Sequence, residues 1–437
     1  MEKRNQAAKL IIGTVVVIIA VLFIAGIVSG HSLKYKAAPL SREDIAYQSV
    51  EAPAASGYDG TIQADDWKAL FPDIVFSMGS NAENSDVVDY LKLDPYLVEI
   101  YEGYGFAKDY GSARGHSYTL TDVNKTERPH GMANCLTCKT PNLTKKVQDE
   151  GKSVYSMPFA DVYAEITQNG GETVSCYTCH GNNAGNATAP RENLTVTHGY
   201  ITEALGANID SIDPGILACG QCHIEYYFNP EDKATTMPHS SIETMTPEET
   251  YDYYTRIGFS DWTQESTGAK MLKVQHPEME TVLLGKHGKF LNCADCHMPI
   301  VENSKTQTVY HSHKLVSPLE DKTLLETCLK CHTNMKTADE MITFVRNIQT
   351  RITDEETRVG NLLMEFKRAL AKANQAGTMD EERLNEVREL YRKAQWFFDY
   401  CYVENSEGAH NSDLAMRCLS TADQLIKEGM ELLKNAE

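Results

Sequence analysis

Cys135-Leu136-Thr137-Cys138-Lys139 sets two thiols three positions apart, with an amine directly behind them. Four other stretches carry the same cysteine pair followed by His: Cys176–His180, Cys219–His223, Cys293–His297 and Cys328–His332. This order of residues holds a c-type haem, the thiols through thioether bonds and the His as proximal ligand of the iron. In the first stretch Lys139 stands where the His would be. Only an unprotonated amine can give its lone pair to a metal, so Lys139 must be desolvated to serve. The pattern reads as four haems of wiring and a fifth at which chemistry takes place.

With 12 Cys and 14 His in 437 residues, chance would supply roughly 0.01 of one Cys-x-x-Cys-His stretch. Four are present. Zinc ribbons need a second cysteine pair about 15–20 residues after the first. The gaps from Cys138 to Cys176, Cys179 to Cys219, Cys222 to Cys293 and Cys296 to Cys328 are all longer. Thioredoxin-like redox pairs are disfavoured because five pairs on one chain have no βαβ context.

The formal net charge of -20, from 61 acidic and 41 basic residues, argues against nucleic acid, whose phosphates need a basic partner. An anionic substrate would need a locally cationic pocket working against this field. Ten of the 12 cysteines lie in the five motifs, and covalent haem attachment takes place outside the cytoplasm. The mature chain is therefore expected on the outer side of the cytoplasmic membrane.

The elements that position these motifs follow in order. Residues 1–36 hold Lys3, Arg4 and Lys9, then the uncharged 19-residue run Leu10–Val28. That run is long enough to span a bilayer and longer than a usual signal-peptide core, which favours an N-terminal membrane anchor over a signal peptide cut after Ser29-Gly30. The basic N-terminal flank puts that end in the cytoplasm, although Lys34 and Lys36 weaken the asymmetry. Residues 37–64, rich in Ala, Pro and Ser, read as a linker. Residues 65–320 are irregular, without the alternation that builds a sheet, and form the haem-binding region. Residues 321–437 carry the fifth motif and then helical periodicity over Thr337–Ala376, Asp380–Asn405 and Asp413–Asn435. Thr378, after the break at Gly377, and Asn411 or Ser412 are the candidate N-caps. The expected fold class is mainly α, a multihaem cytochrome c with an irregular haem-packed core and long C-terminal helices. Those helices either pack on the haem region or form a dimer interface. Cys401 and Cys418 flank the turn near Gly408–Ala409 at similar distances, so they form either a disulfide or two buried thiols.

Cys135–Lys139 with four Cys-x-x-Cys-His stretches resembles the ammonia-forming cytochrome c nitrite reductases, a pentahaem family. Further stretches match: Asp109-Tyr110 with Arg114-Gly115-His116, Cys222-His223-Ile224-Glu225-Tyr226-Tyr227-Phe228, Lys273-Val274-Gln275-His276-Pro277, Gly285-Lys286-His287-Gly288, and His313 sixteen residues after His297. The resemblance covers roughly residues 65–435, and an anchored N-terminus departs from the cleaved signal of many members.

The resemblance implies reduction of nitrite to ammonium at the Lys139 haem. Five covalent haems would hang on Cys135, Cys138, Cys176, Cys179, Cys219, Cys222, Cys293, Cys296, Cys328 and Cys331. Proximal ligands would be Lys139, His180, His223, His297 and His332, and distal ligands His116, His287, His313 and His410. His130, His198, His239 and His311 keep the ordinary reading of a surface or hydrogen-bonded His. The resemblance puts Arg114, Tyr226 and His276 over the open face of the Lys139 haem. There Arg114 would hold nitrite oxygens, and His276 would donate protons with a pKa near working pH. It also implies Ca2+ bound by Glu225, the Tyr226 and Lys273 carbonyls and Gln275, a hard oxygen set. Partners would be a membrane quinol dehydrogenase cytochrome or another electron donor, and a second copy in a homodimer. Reduction of hydroxylamine, sulfite or another oxyanion is the alternative within enzymes, and a pure electron-transfer cytochrome the alternative outside them. The odd Lys139 speaks against the latter.

Overall fold

The computed structural model describes residues 40–185, 188–189, 191–377 and 379–435. The run Leu10–Val28 and Thr378 lie outside the described residues. Among the described residues no helix is long and apolar enough to cross a membrane. The unit Ser41–Glu437 is described below.

Three long helices dominate the C-terminal part. Ala338–Ala376 spans 39 residues, about 58 Å at the usual rise. Glu381–Tyr402 and Ser412–Lys434 follow it. Their starts are set by polar caps: Thr337 accepts from Glu340 N–H at 3.1 Å, Asp380 from Arg383 N–H at 3.0 Å and Asn411 from Leu414 N–H at 3.1 Å. The second cap is thus Asp380, whose carboxylate also complements the helix dipole. Gly377, with φ of 61°, closes the first helix in the left-handed conformation that suits glycine.

Cys401 and Cys418 are both buried and unbonded, the second of the two alternatives. The Cys401 thiol turns to Glu356 Oε1, 3.2 Å away on the first long helix. The apolar faces of the three helices meet around Phe366, Trp396, Phe397, Phe398 and Leu419, all fully buried. The same cluster takes in Tyr96, Leu97, Ile100, Trp262 and Met271, so one core crosses residue 320.

The remainder is short helices and turns, with three two-stranded antiparallel pairs among the described residues: Tyr227–Phe228 with Thr235–Thr236, Trp262–Thr263 with Lys270–Met271, and Ile300–Glu302 with Val309–His311. Two motifs are helices of five residues, Cys176–His180 and Cys293–His297. Asn292 caps the latter, its Oδ1 accepting from Asp295 N–H at 3.2 Å while Asp295 Oδ2 accepts from Asn292 N–H at 2.9 Å.

Candidate active site

Each motif His faces a His from a distant part of the chain. Ring centres are 6.3 Å apart for His180 and His313, 6.2 Å for His223 and His116, 6.1 Å for His297 and His410, and 6.0 Å for His332 and His287. Two metal–nitrogen bonds of about 2.0–2.1 Å, with ring centres about 1.1 Å behind the nitrogens, set centroids about 6.2 Å apart. The gaps fit one iron each. His223 has a second neighbour at 6.2 Å, His276.

Several rings are oriented through Nδ1, which leaves Nε2 toward the gap. His180 Nδ1 meets the Asn193 carbonyl at 2.9 Å, His297 Nδ1 the Val316 carbonyl at 2.9 Å, His313 Nδ1 the His311 carbonyl at 3.0 Å and His410 Nδ1 the Glu404 carboxylate at 2.6 Å. Burial pushes His116 and His313 down to about 4, which keeps them neutral and able to ligate.

Asn81, which sequence reasoning missed, positions two of these segments. Its side chain donates to the His313 carbonyl at 2.7 Å and accepts from Leu315 N–H at 3.0 Å. Its own carbonyl lies where a Cβ on Gly115 would come within 2.0 Å, so only glycine fits before His116.

Three side chains lie near the Cys135–Lys139 motif: His276 near Lys139 and Cys138, Tyr226 near Cys138 and Cys135, and Arg128 near Cys135. The Lys139 carbonyl accepts from Thr119 Oγ1 at 2.9 Å, which holds the end of the motif. Tyr226 is pushed well above its ordinary pKa by burial and by the neighbouring Cys138 and Cys135. His276 is pushed down to about 4 by burial, with Glu278 opposing and His223 and Lys139 adding repulsion. The His276 ring is thus a neutral donor, and the expectation of a pKa near working pH is corrected. Its Nδ1 is buried without a partner.

Arg114 is not free for this site. Its Nε and Nη2 both bind Asp122 at 2.7 Å, and its guanidinium lies 3.8 Å over the Tyr118 ring. Such a bidentate pair neutralises the charge. Arg128, missed in the sequence, stands 4.4 Å over Phe106, donates to Thr126 Oγ1 at 3.0 Å, and its charge reaches Cys135. Among the described residues it makes no ion pair. The only sequence signal was its place seven residues before Cys135.

Glu225, 1% exposed, accepts from Gln275 N–H at 2.6 Å and from Tyr254 Oη at 2.9 Å. Gln275 Nε2 donates to the Lys273 carbonyl at 3.0 Å, so three of the four expected ligand residues, Glu225, Lys273 and Gln275, are together. Burial, with Glu280 and Asp261 nearby, pushes Glu225 well above the usual carboxylate range. Glu280 Oε2 is buried and unpartnered. Buried acids without enough positive charge fit a hard cation among them.

The ordinary reading of three other histidines is met by local contacts: His130 against Phe159, His311 on the Met298 carbonyl, and His239 between the Thr244 carbonyl and Glu280. The motifs also touch in series. The Cys138 and Cys222 Sγ atoms lie within 4.8 Å of one another. Cys219 lies against Cys293, and Cys296 is close to Cys328.

The cytochrome c552 family model matches residues 63–436. The cytochrome c nitrite reductase from Desulfovibrio desulfuricans ATCC 27774, a structure described for its two calcium sites, superposes with a TM-score of 0.74 at 26% identity, over 85% of this chain and 86% of that one. The outer cell wall cytochrome OcwA and an undecahaem cytochrome from the S-layer of Carboxydothermus ferrireducens each superpose with a TM-score of 0.39 at 18% identity. They cover 71% and 73% of this chain, and 48% and 41% of their own.

Proposed function

The chain belongs to the cytochrome c552 family, and we propose that it is a cytochrome c nitrite reductase: Cys135, Cys138 and Lys139 would hold the haem at which nitrite is reduced to ammonium, and the paired histidines of the other four motifs would hold haems that supply electrons. One observation supports the proposal: four motif histidines face a second imidazole across an iron-sized gap, whereas the fifth motif ends in Lys139, with His276 near that amine, Tyr226 near Cys138 and Cys135, and Arg128 near Cys135. Nitrogen passes from +3 to -3, so nitrite takes up six electrons and eight protons and leaves as ammonium and two waters.

The haems, once bound, supply the metal on which nitrite sits and the relay for electrons. The chain's own residues do the rest. Arg128 gives a fixed positive charge to an anion that the global charge of -20 repels at long range. Salt screens that repulsion beyond about 10 Å at 0.1 M, so selection is local. His276 offers an N–H to a nitrite oxygen as its bond to nitrogen weakens, and Tyr226 a hydroxyl. Arg114 props the His116 segment through Asp122. The third motif touches the Lys139 motif at Cys222 and the fourth at Cys219, which orders the electron path.

Ca2+ at Glu225, Gln275 and the carbonyls of Tyr226 and Lys273 pins both pocket-bearing segments together. The chain works outside the cytoplasm, and the uncharged run in residues 1–36 supports an anchor or an export signal. A membrane quinol dehydrogenase cytochrome or another carrier donates electrons, and the C-terminal helices offer a homodimer interface.

The test is nitrite turnover with reduced viologen, counting ammonium against electrons. The expected yield is one ammonium per six electrons. Arg128→Ala is expected to lower turnover by about 10²–10³, the usual effect of losing one charge-stabilising donor. Arg114→Ala should act several-fold at most. Wild-type turnover in Arg128→Ala would move the anion site elsewhere.

A further inference from the structure

His198 is unlike the histidines that face each other across iron-sized gaps. It is 3% exposed, and both ring nitrogens meet acceptors. Nε2 lies 3.0 Å from the Thr137 carbonyl and Nδ1 3.1 Å from Gln221 Oε1. The Gln221 amide is fixed in that sense, because its Nε2 donates to the Thr178 and Ala218 carbonyls at 2.7 and 3.1 Å. The Thr197 hydroxyl, 3.3 Å from Nδ1, gives its proton to the Thr178 carbonyl at 2.8 Å and offers the ring a lone pair. Gln221 Oε1 also accepts from the Thr197 and His198 backbone N–H groups at 3.0 and 3.2 Å. The Thr137 carbonyl can only accept, so Nε2 carries a proton and donates to it.

The two acceptors belong to different motifs. Thr137 lies within Cys135–Lys139, and Gln221 within Cys219–His223. A ring nitrogen and the Sγ atoms of Cys138 and Cys222 all lie within 4.8 Å of one another, and Nε2 is 3.7 Å from Cys222 Sγ. Such a trio could bind a soft metal as free thiols. With both sulfurs spent on thioether bonds it becomes a meeting of two haem attachments. His198 has no hydrogen bond to Arg128, Tyr226 or His276.

Resting on the reading that both motifs carry haems, we propose that His198 is a positioning residue for electron delivery: it braces the lysine motif against the third motif and holds an N–H donor beside both thioether sulfurs. The positive end of an N–H dipole there favours the reduced state of each haem, because an added electron is attracted to it. The brace also fixes the separation across which the electron passes. Its effect falls on electron supply and leaves nitrite binding alone.

The experiment uses the holoenzyme, with His198→Phe, which keeps the volume and removes the donors, and His198→Arg, which restores donors. A cavity of about 220 Å³ lined by Thr137, His198, Tyr200 and Thr235 gives room for the longer side chain. Haem content by mass and a redox titration without nitrite are read first. In wild type they test the underlying reading, since a missing high-spin haem would refute that reading whatever His198 does. In His198→Phe with full haem content, the high-spin haem and one low-spin haem should become about tenfold harder to reduce, about 59 mV for one electron. The other haems should not move. Turnover should fall about tenfold with KM for nitrite unchanged, and Arg should restore both readouts. Unshifted potentials in His198→Phe overturn the proposal, as does a rise in KM with kcat intact. If the Phe variant loses haem, the Arg variant decides: wild-type potentials sustain the proposal and lowered ones overturn it.

Discussion

The helices Ala338–Ala376, Glu381–Tyr402 and Ser412–Lys434 bury Phe366, Trp396, Phe398 and Leu419 in a single cluster, whereas the apolar residues around the motifs fall into three separate smaller ones. Each small cluster has a motif cysteine packed at its edge: Cys135, Cys293 and Cys328. The helical part closes its core with side chains, its own and those of segments such as Tyr96–Ile100 and Trp262 that pack on it. The motif part holds its loops apart at distances that suit a porphyrin, so much of its core is the cofactor. The first region is specified by periodicity, the second by what it binds.

The sharpest way to break this contrast is to withhold the haems. Chain exported without haem attachment should lose protease resistance across residues 65–320 and keep it over 338–434, read by limited proteolysis and mass spectrometry. Equal loss in both regions would end the distinction. A smaller effect comes from within the helical core. Phe366→Ala should cost about 3–5 kcal/mol, the usual loss for a buried aromatic. It should lower the thermal midpoint while haem spectra at 25 °C stay unchanged.

Asn81→Ala should cost less, about 1–3 kcal/mol for the buried groups left unpaired. Its signature is local: the haem of Cys176–His180 should gain a high-spin component as His313 loosens, with KM for nitrite unaltered. The smallest effect is a pH slope. Burial pushes Glu356 up to about 8, against the pull of the Cys401 hydrogen bond and with Glu407, Glu404 and Asp94 adding repulsion. The folded chain thus keeps this proton to higher pH than the unfolded one, and stability is lost as pH rises from about 4.5 to about 8. Glu356→Gln should flatten the fall in thermal midpoint between pH 6 and pH 9; an unchanged slope would place the titration elsewhere.

What could be read in advance followed the same divide. The long helices were legible because 3.6-residue periodicity is local, and the five motifs because their cysteines are neighbours. The distal histidines came through resemblance, since nothing local marks His116 or His410 as the partner of a His over a hundred residues away. Arg114 looked right beside His116, but a bidentate pair with Asp122 is a geometric fact that spacing does not carry. Cys401 and Cys418 looked level across a turn, and the acceptor that drew Cys401 away, Glu356, sits on a third helix. Asn81 gave no signal, because its work is done on residues 34 and 232 positions further along.

The near contact of Cys138 and Cys222 has a consequence for how the protein is born. Thioether bonds must form while each cysteine can still be presented to a haem, yet in the folded chain two cysteines from separate motifs lie within 4.8 Å and face inward. Closed early in an oxidising compartment, that pair would make a crosslink between the wrong partners and seal two attachment points at once. Haem loading must therefore outrun closure. The chain has to leave the membrane slowly enough, or be kept open long enough, for residues 138 and 222, which arrive 84 positions apart, to be filled before they meet.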